Sequence, residues 1–429
     1  MSALIISGGK RMVGEVEVAG SKNTALALLS SVVLANGETI LHNVPFVSDT
    51  HHKARLLERF GAKVRWEGNS LHIDCTEVII GDADPETVRA IRTSFYLLGP
   101  LLARVGHVEL PSPGGCKIGA RPVDFHLKGL AAFGAEVELR GGVYHASAPR
   151  TLRGAEIYLD FPSQGATQHL MATAAMIEGH SVIHNAALEP EVQYLASFLN
   201  KMGAKIEGAG TNTITIEGVT SLRPVEYRVP ADRLQAGTYM LAGAITKGDV
   251  TVRGILPEHQ TAVISKLREA GATLEEGHDW IRVRADERLR GVDIRTMPYP
   301  GFPTDMQQPM AALLSVADGT SMLEETIYES RIGHVQELNR MGANLKVSGA
   351  STIVNGVEGL QGAEVIASDL RAGAALVLAG LAAEGETIVR NIHFIDRGYE
   401  RLESTLTSLG ADIRREDNAA TSRLSENNL

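Results

Sequence analysis

A glycine-rich stretch around Cys116 carries the residue types best suited to proton transfer or covalent chemistry. Glycines flank the thiol on both sides, and two cations, Lys117 and Arg121, lie within five positions of it. A nearby cation lowers the pKa of a thiol, and glycine lets the backbone approach a ligand closely. The stretch therefore predicts a loop that brings a reactive thiol to an anionic substrate. The alternative is a surface turn with an ordinary thiol.

A second group of candidates lies where predicted strands lead into apolar helices. The first turn of a helix offers free N–H groups and a partial positive charge, which suit anions. Asp232 and Asp369 fit this place as N-cap residues. Cations do not fit it, because the helix dipole disfavours positive charge there. Four cations occupy it nevertheless: Lys22, Arg92, Arg233 and Arg371. We therefore expect an anion to compensate them.

Further polar residues lie at or near equivalent places. Asn23, Ser163 and Gln164 follow the same pattern. Asp305 lies in an irregular segment with two prolines, so it could act as a general base, as an N-cap of the helix expected from Met306, or as both. Three more arginines, Arg121, Arg331 and Arg397, would each alone suggest a solvated surface residue. Together they suit a substrate with several phosphate or carboxylate groups.

The composition is that of an ordinary globular protein of 429 residues, with a formal net charge of −10. This acidic balance argues against non-specific nucleic-acid binding, and no apolar run is long enough to span a membrane. With only Cys75 and Cys116, no disulfide framework is expected, so we predict a cytoplasmic protein. The histidines show no metal-ligand spacing, and no nucleotide-binding glycine motif is present. We expect neither metal nor cofactor.

A repeat of roughly 70 residues runs through the chain six times. In each copy a Gly-Ala pair closes an amphipathic segment and opens a run with strand periodicity. The glycines of these pairs are Gly61, Gly134, Gly203, Gly271, Gly342 and Gly410. Each copy also has an Ala- and Leu-rich helix without a broad polar face, which predicts that this helix is buried.

The repeats predict an α/β fold of two similar domains, each with three copies of a small βαβαββ-type unit. Buried helices wrapped by sheets would make each domain an inside-out α/β barrel. The expected domains are residues 22–230, with the Cys116 loop, and residues 1–21 plus 231–416; residues 417–429 are expected to form a disordered tail. The sixth copy lacks its final strand, which the N-terminal strand Leu4–Ile6 could supply. If the buried helices of each domain run side by side, their N-termini would face a common cleft between the domains.

Four motifs carry a family resemblance: Pro113–Asp124, Gly20–Asn23, Phe302–Met306 and Asp396–Arg401. On them the chain closely resembles the UDP-N-acetylglucosamine 1-carboxyvinyltransferases, enolpyruvyl transferases that open bacterial peptidoglycan synthesis. The resemblance covers roughly residues 3–415. The Cys116 loop separates this family from 5-enolpyruvylshikimate-3-phosphate synthase, which shares the sixfold fold and lacks the loop.

The resemblance implies transfer of the enolpyruvyl group of phosphoenolpyruvate to the 3′-hydroxyl of UDP-N-acetylglucosamine, with release of phosphate. It makes Cys116 the proton donor and the site of alkylation by fosfomycin, and it makes Asp305 the base. Lys22 and Arg397 complete the catalytic set. The phosphoenolpyruvate site would comprise Lys22, Asn23, Arg121, Arg371 and Arg397. The UDP-sugar site would comprise Arg92, Arg121, Pro122, Val123, Asp124, Phe125, Ser163, Gln164, Asp305 and Ile327.

Some residues depart from the family pattern. Phe161 stands where some members have lysine, next to the expected UDP-sugar contacts. This departure leaves open a paralogous transferase with another nucleotide acceptor. A sensor that binds a UDP-sugar without turnover is a third possibility, against which the intact set of Cys116, Asp305, Lys22 and Arg397 argues.

Overall fold

The computed structural model describes residues 2–78, 84–114, 119 and 123–416. The chain divides into two compact units. The Lys22 unit runs from Gly20 to Pro230 and holds Lys22. The Asp305 unit combines the chain up to Ala19 with the chain from Ala231, and it includes Gly119.

Small sheets form the outer layer of each unit. Within each sheet, strands named one after another lie side by side. In the Lys22 unit they are Glu226–Arg228, Glu38–His42, Ser70–Asp74 and Lys63–Glu67; His107–Pro111, Val143–Ser147 and Glu136–Arg140; and Lys205–Glu207, Thr213–Glu217, His180–His184 and Glu156–Tyr158. In the Asp305 unit they are Thr273–Glu276, Trp280–Arg284, Asp249–Arg253 and Val13–Glu17; Ile294–Arg295, Thr320–Glu324, Ser351–Asn355 and Asn344–Ser348; and Glu364–Ile366, Glu386–Arg390, Ala3–Ser7 and Asp412–Glu416.

The four-stranded sheets share one construction, which reflects the sequence repeat. Three strands pair antiparallel, and a fourth joins the edge in parallel. The strand Ala3–Ser7 takes a middle position between Glu386–Arg390 and Asp412–Glu416, antiparallel to both. The N-terminal strand therefore supplies what the sixth copy lacks, as its sequence predicts.

Each unit has three helices at its centre. They are Lys22–Ser31, Leu98–Val105 and Gln164–Ala174 in the Lys22 unit, and Arg233–Ile245, Gln307–Ser315 and Leu370–Ala382 in the Asp305 unit. Within the Asp305 unit the three central helices contact one another. Nearly every residue of Leu370–Ala382 is buried, as expected for a helix without a polar face. The α/β fold class with buried helices is thus confirmed.

The remaining helices pack outside this centre. They are Ser48–Arg59, Pro85–Ala90, Asp124–Ala132, Pro190–Met202, Thr261–Ala270, His334–Arg340 and Leu402–Ser408. Short 3₁₀ turns span Val32–Leu34, Arg92–Leu97, Pro257–Gln260, Thr304–Met306 and Ile392–Arg397. In the described part of the chain, no helix is long and apolar enough to cross a membrane. The predicted tail 417–429 lies outside the described residues.

Candidate active site

Asp305 lies between two buried arginines of the Asp305 unit. One carboxylate oxygen accepts hydrogen bonds from Nη2 and Nε of Arg371, at 3.0 and 3.2 Å. The other lies 2.8 Å from Nη1 of Arg331. The two arginine side chains are 3% and 5% exposed, whereas Asp305 is 24% exposed. Asp305 is therefore the most solvent-exposed of these three side chains.

Local sequence explains how these side chains are positioned. Pro303 starts the 3₁₀ turn Thr304–Met306, which contains Asp305. Arg371 stands in the first turn of Leu370–Ala382, where the Asp369 carboxylate accepts the backbone N–H of Arg371 as an N-cap. The N-cap prediction for Asp369 is confirmed. That for Asp305 is wrong: it lies inside the turn, and its carboxylate binds the two guanidinium groups.

Arg371 is also tied to Tyr399. Its Nη1 donates to the Tyr399 hydroxyl at 3.0 Å, and that hydroxyl lies 2.7 Å from the Thr238 hydroxyl. Burial alone would lower the pKa of Arg371, but Tyr399, Asp305 and Asp232 outweigh it and raise that pKa. Arg371 is therefore a permanent cation, and the anion that compensates it in this structure is the protein's own Asp305 carboxylate.

A second acid, the buried Glu325, organises the segment beside this cluster. One oxygen accepts the backbone N–H groups of Ile327 and Tyr328 at 2.8 and 3.0 Å, and the other accepts the Thr304 hydroxyl at 2.8 Å. Because Thr304 also accepts a hydrogen bond from Arg331, Glu325 links the Ile327 segment to the turn that holds Asp305. No sequence signal pointed to Glu325.

In the Lys22 unit, Lys22 is the first residue of the central helix Lys22–Ser31. The Ser21 hydroxyl caps this helix by accepting the backbone N–H of Thr24, and Asn23 occupies the second helical position. The Lys22 ammonium lies 3.3 Å from the Asp49 carboxylate, with only 12% and 5% of the two side chains exposed. As with Arg371, a protein carboxylate accompanies a cation that the helix dipole disfavours.

The other candidates of the Lys22 unit also stand at helix starts. Ser163 caps Gln164–Ala174, of which Gln164 is the first residue, by accepting the Ala166 N–H at 3.3 Å. Asp124 opens the helix Asp124–Ala132, with Val123 before it and Phe125 after it, and Arg92 opens the 3₁₀ turn Arg92–Leu97. The strand-to-helix junction predicted for Ser163 and Gln164 is confirmed, because the strand Glu156–Tyr158 precedes them. The one predicted for Arg92 is wrong, because the helix Pro85–Ala90 precedes it and a 3₁₀ turn follows.

Lys53 is a fully buried lysine next to the turn that carries Arg92. Its ammonium nitrogen donates to the Thr93 carbonyl oxygen at 2.7 Å, and burial lowers its pKa well below 10.5. In the unfolded chain this amine is protonated up to about pH 10.4. In the pH range just below that value the unfolded state thus binds more protons than the folded state, so Lys53 makes stability rise with pH.

We expect Lys53→Met to remove this contribution. Between pH 8.5 and 9.5, the free energy of unfolding of the wild type relative to Lys53→Met should rise by up to about 1.4 kcal/mol. Urea denaturation at the two pH values, followed by Trp66 fluorescence in the same unit, measures this difference. Lys128→Met is the control, because Lys128 is a half-exposed surface partner of Asp160. Parallel pH profiles for wild type and Lys53→Met would contradict the assignment.

The comparisons with known proteins agree with this geometry. The family model of EPSP synthase (3-phosphoshikimate 1-carboxyvinyltransferase) matches residues 6–406. UDP-N-acetylglucosamine 1-carboxyvinyltransferase 1 of Symbiobacterium thermophilum is 50% identical over 96% of this chain and 94% of the relative. UDP-N-acetylglucosamine 1-carboxyvinyltransferase of Halothermothrix orenii is 48% identical over 97% of this chain and all of the relative. The chain belongs to the UDP-N-acetylglucosamine 1-carboxyvinyltransferase family.

Solved structures support the same fold. The enolpyruvyl transferase NikO from Streptomyces tendae matches with a TM-score of 0.87 and 28% identity, over 97% of this chain and 99% of that one. EPSP synthase from Acinetobacter baumannii matches with a TM-score of 0.76 and 19% identity, over 97% of this chain and all of that one, which shows the fold alone.

Three residues expected for this family's site, Cys116, Arg121 and Pro122, lie outside the described residues. The other cysteine is described: Cys75 is 1% exposed, and burial raises the pKa of its thiol to about 12. This agrees with its predicted inert role. Arg397 ends the 3₁₀ turn Ile392–Arg397 and is partly exposed.

Sequence reasoning missed the residues that hold the candidates in place. These are Asp49, Glu325, Thr304, Thr238 and Tyr399, of which Thr304 and Tyr399 stand in motifs that drew attention for their neighbours. In the part of the chain that the structure describes, no group of three or more His, Cys, Asp or Glu side chains could hold a metal ion.

Proposed function

We propose that this chain transfers the enolpyruvyl group of phosphoenolpyruvate to the 3′-hydroxyl of UDP-N-acetylglucosamine and releases phosphate. The observation that carries the proposal is the partly exposed Asp305 carboxylate between Arg371 and Arg331. The names of the relatives at about 50% identity support the choice of acceptor. The reaction is the first committed step of peptidoglycan synthesis, and its substrates support a cytoplasmic location.

The reaction follows an addition and an elimination. Asp305 takes the proton of the 3′-hydroxyl as its oxygen bonds to C2 of phosphoenolpyruvate, while Cys116 delivers a proton to C3. The tetrahedral product then loses a proton from C3 and expels phosphate, which restores the double bond. Lys22, Asn23, Arg121, Arg371 and Arg397 hold the phosphate and carboxylate groups. The remaining UDP-sugar residues orient the acceptor.

Asp305 is suited to this base role because its two arginine partners fix its orientation. Arg371 and Arg331 each bind one of its oxygens, so the remaining lone pairs have defined directions. General bases held in this way contribute about 10²–10⁴-fold to the rate.

Phosphate release decides between this function and its alternative. Wild-type protein with phosphoenolpyruvate and UDP-N-acetylglucosamine should release phosphate in the amount of the enolpyruvyl product. Release with another nucleotide acceptor, and none with UDP-N-acetylglucosamine, would establish the paralogous transferase instead. The exposed Phe161 near Ser163, the departure expected from the family resemblance, is the observation that favours testing this alternative.

We expect Cys116→Ser to lose inactivation by fosfomycin and to lower turnover by about 10²–10⁴-fold, because a hydroxyl is a far weaker acid than a thiol. Binding of UDP-N-acetylglucosamine should be largely kept. Phosphate-release kinetics and titration calorimetry measure the two effects. Cys75→Ser is the matched control, since that thiol is buried. Full activity of Cys116→Ser would remove the proton-donor role.

A further inference from the structure

A pair of buried histidines connects the centre of the Lys22 unit to its candidate UDP-sugar residues. The side chains of His126 and His169 belong to the helices Asp124–Ala132 and Gln164–Ala174, and the residues are 7% and 1% exposed. Their Nδ1 atoms lie 2.9 Å apart, within hydrogen-bond distance. One Nδ1 must therefore donate and the other must accept.

The backbone of Gly99 decides which nitrogen donates. The Gly99 N–H points at Nε2 of His169 at 2.8 Å, and a backbone N–H can only donate. Nε2 of His169 is therefore the acceptor and carries no proton. A neutral His169 then carries its proton on Nδ1 and donates it to Nδ1 of His126. The proton of a neutral His126 must in turn sit on Nε2.

Both rings are held in the neutral form. Burial is the main cause, and it lowers the pKa of His126 to about 3, with the charge of Arg92 acting in the same direction. Burial also lowers the pKa of His169, with His126 and Lys53 contributing. The chain of donors from Gly99 through His169 to His126 is thus fixed at neutral pH. It leaves a single ring donor at its end, the Nε2–H of His126.

His126 is next to candidate UDP-sugar residues of the same unit, both in sequence and through its stacking partner Tyr96. His126 directly follows Phe125, and Tyr96 stacks on its ring at a centroid distance of 5.6 Å. The Tyr96 hydroxyl lies 2.3 Å from where a Cβ at Gly165 would stand, next to Gln164. Among the described residues, no other hydrogen bond reaches the His126 ring. Because Nε2 of His126 has no partner in the described part of the chain and is not fully buried, a ligand atom can reach it.

We propose that the Nε2–H of His126 is a binding donor for an oxygen of the uridine diphosphate part of the UDP-sugar. This inference rests on the proposed function and adds a residue to its acceptor site. A buried neutral donor with a fixed tautomer recognises an oxygen acceptor without adding another charge beside Arg92. Ligand binding also costs the His126 side chain little conformational entropy, because stacking on Tyr96 already orients its ring.

Calorimetric titration with UDP-N-acetylglucosamine and with UDP alone tests the donor. His126→Phe keeps a flat ring without the donor, and we expect it to weaken binding of both ligands by about 10-fold. His126→Gln restores an N–H group near the Nε2 position and should recover affinity to within about 3-fold of wild type. His145→Phe, a surface histidine that pairs with Glu109, is the control and should bind both ligands normally.

Nitrogen NMR of the histidine rings in the unliganded wild type provides a test that needs no variant to fold. We expect a proton on Nε2 of His126 and on Nδ1 of His169 at neutral pH. A proton on Nδ1 of His126, or unchanged affinity of a folded His126→Phe for both ligands, would overturn the inference. If His126→Phe bound both ligands normally and the wild type still released phosphate, only the inference would fail and the proposed function would remain. Failure of the proposed function would show separately, as absent phosphate release by the wild type.

Discussion

Asp305→Asn should lower turnover by about 10²–10⁴-fold while leaving the affinity for UDP-N-acetylglucosamine within a few-fold of wild type. The amide has the size of the carboxylate, and its oxygen can still accept a hydrogen bond from Arg371 or Arg331. It cannot take a proton from the 3′-hydroxyl. The change therefore removes the base and keeps most of the geometry. Phosphate-release kinetics measure the loss of turnover, and calorimetry measures the affinity for UDP-N-acetylglucosamine.

A matched control comes from another Asp–Arg pair of the same unit. Asp249 accepts two hydrogen bonds from Arg282, both at 2.7 Å, on the outer sheet. Asp249→Asn should keep turnover within about twofold of wild type, because surface ion pairs contribute about 0–1 kcal/mol. If Asp305→Asn turned over as fast as Asp249→Asn, a base other than Asp305 would have to be sought.

The architecture could be read from the sequence because it depends on local signals. Gly203 and Gly271 end their helices with φ of 112° and 105°, a conformation that glycine adopts without steric cost. The repeat of these signals showed six copies, and the missing strand of the last copy pointed to the N-terminus. Such signals lie within a few residues of one another, so they need no knowledge of tertiary contacts.

The partners within the site could not be predicted, because they come from distant parts of the chain. Asp305 and Arg371 are 66 positions apart, and Lys22 and Asp49 are 27 apart. The helix-dipole argument correctly marked Lys22 and Arg371 as cations in need of an anion. It could not distinguish a substrate phosphate from a protein carboxylate, and in this structure each cation has a carboxylate. Substrate anions would then share these cations with the protein's own acids.

Its contacts within the protein make Arg371 important for stability, in addition to the substrate-binding role proposed for it. Its guanidinium is 3% exposed and bonds to both Asp305 and Tyr399. Arg371→Met fills the space but leaves the Asp305 carboxylate with one arginine and the Tyr399 hydroxyl with one partner fewer. Removal of one member of a buried ion pair costs about 3–5 kcal/mol, and we expect a loss near the lower end because Asp305 is partly exposed.

Urea denaturation followed by Trp280, which lies in the same unit, measures this loss; a Trp66→Phe background removes the other tryptophan. Arg282→Met is the control, since that arginine is 38% exposed, and it should cost about 1 kcal/mol or less. Combining Arg371→Met with Asp305→Asn should cost less than the sum of the single changes by about 0.5–3 kcal/mol, because each removes one charge of the same ion pair. Strict additivity, or equal losses for Arg371→Met and Arg282→Met, would show that the pair does not stabilise the unit.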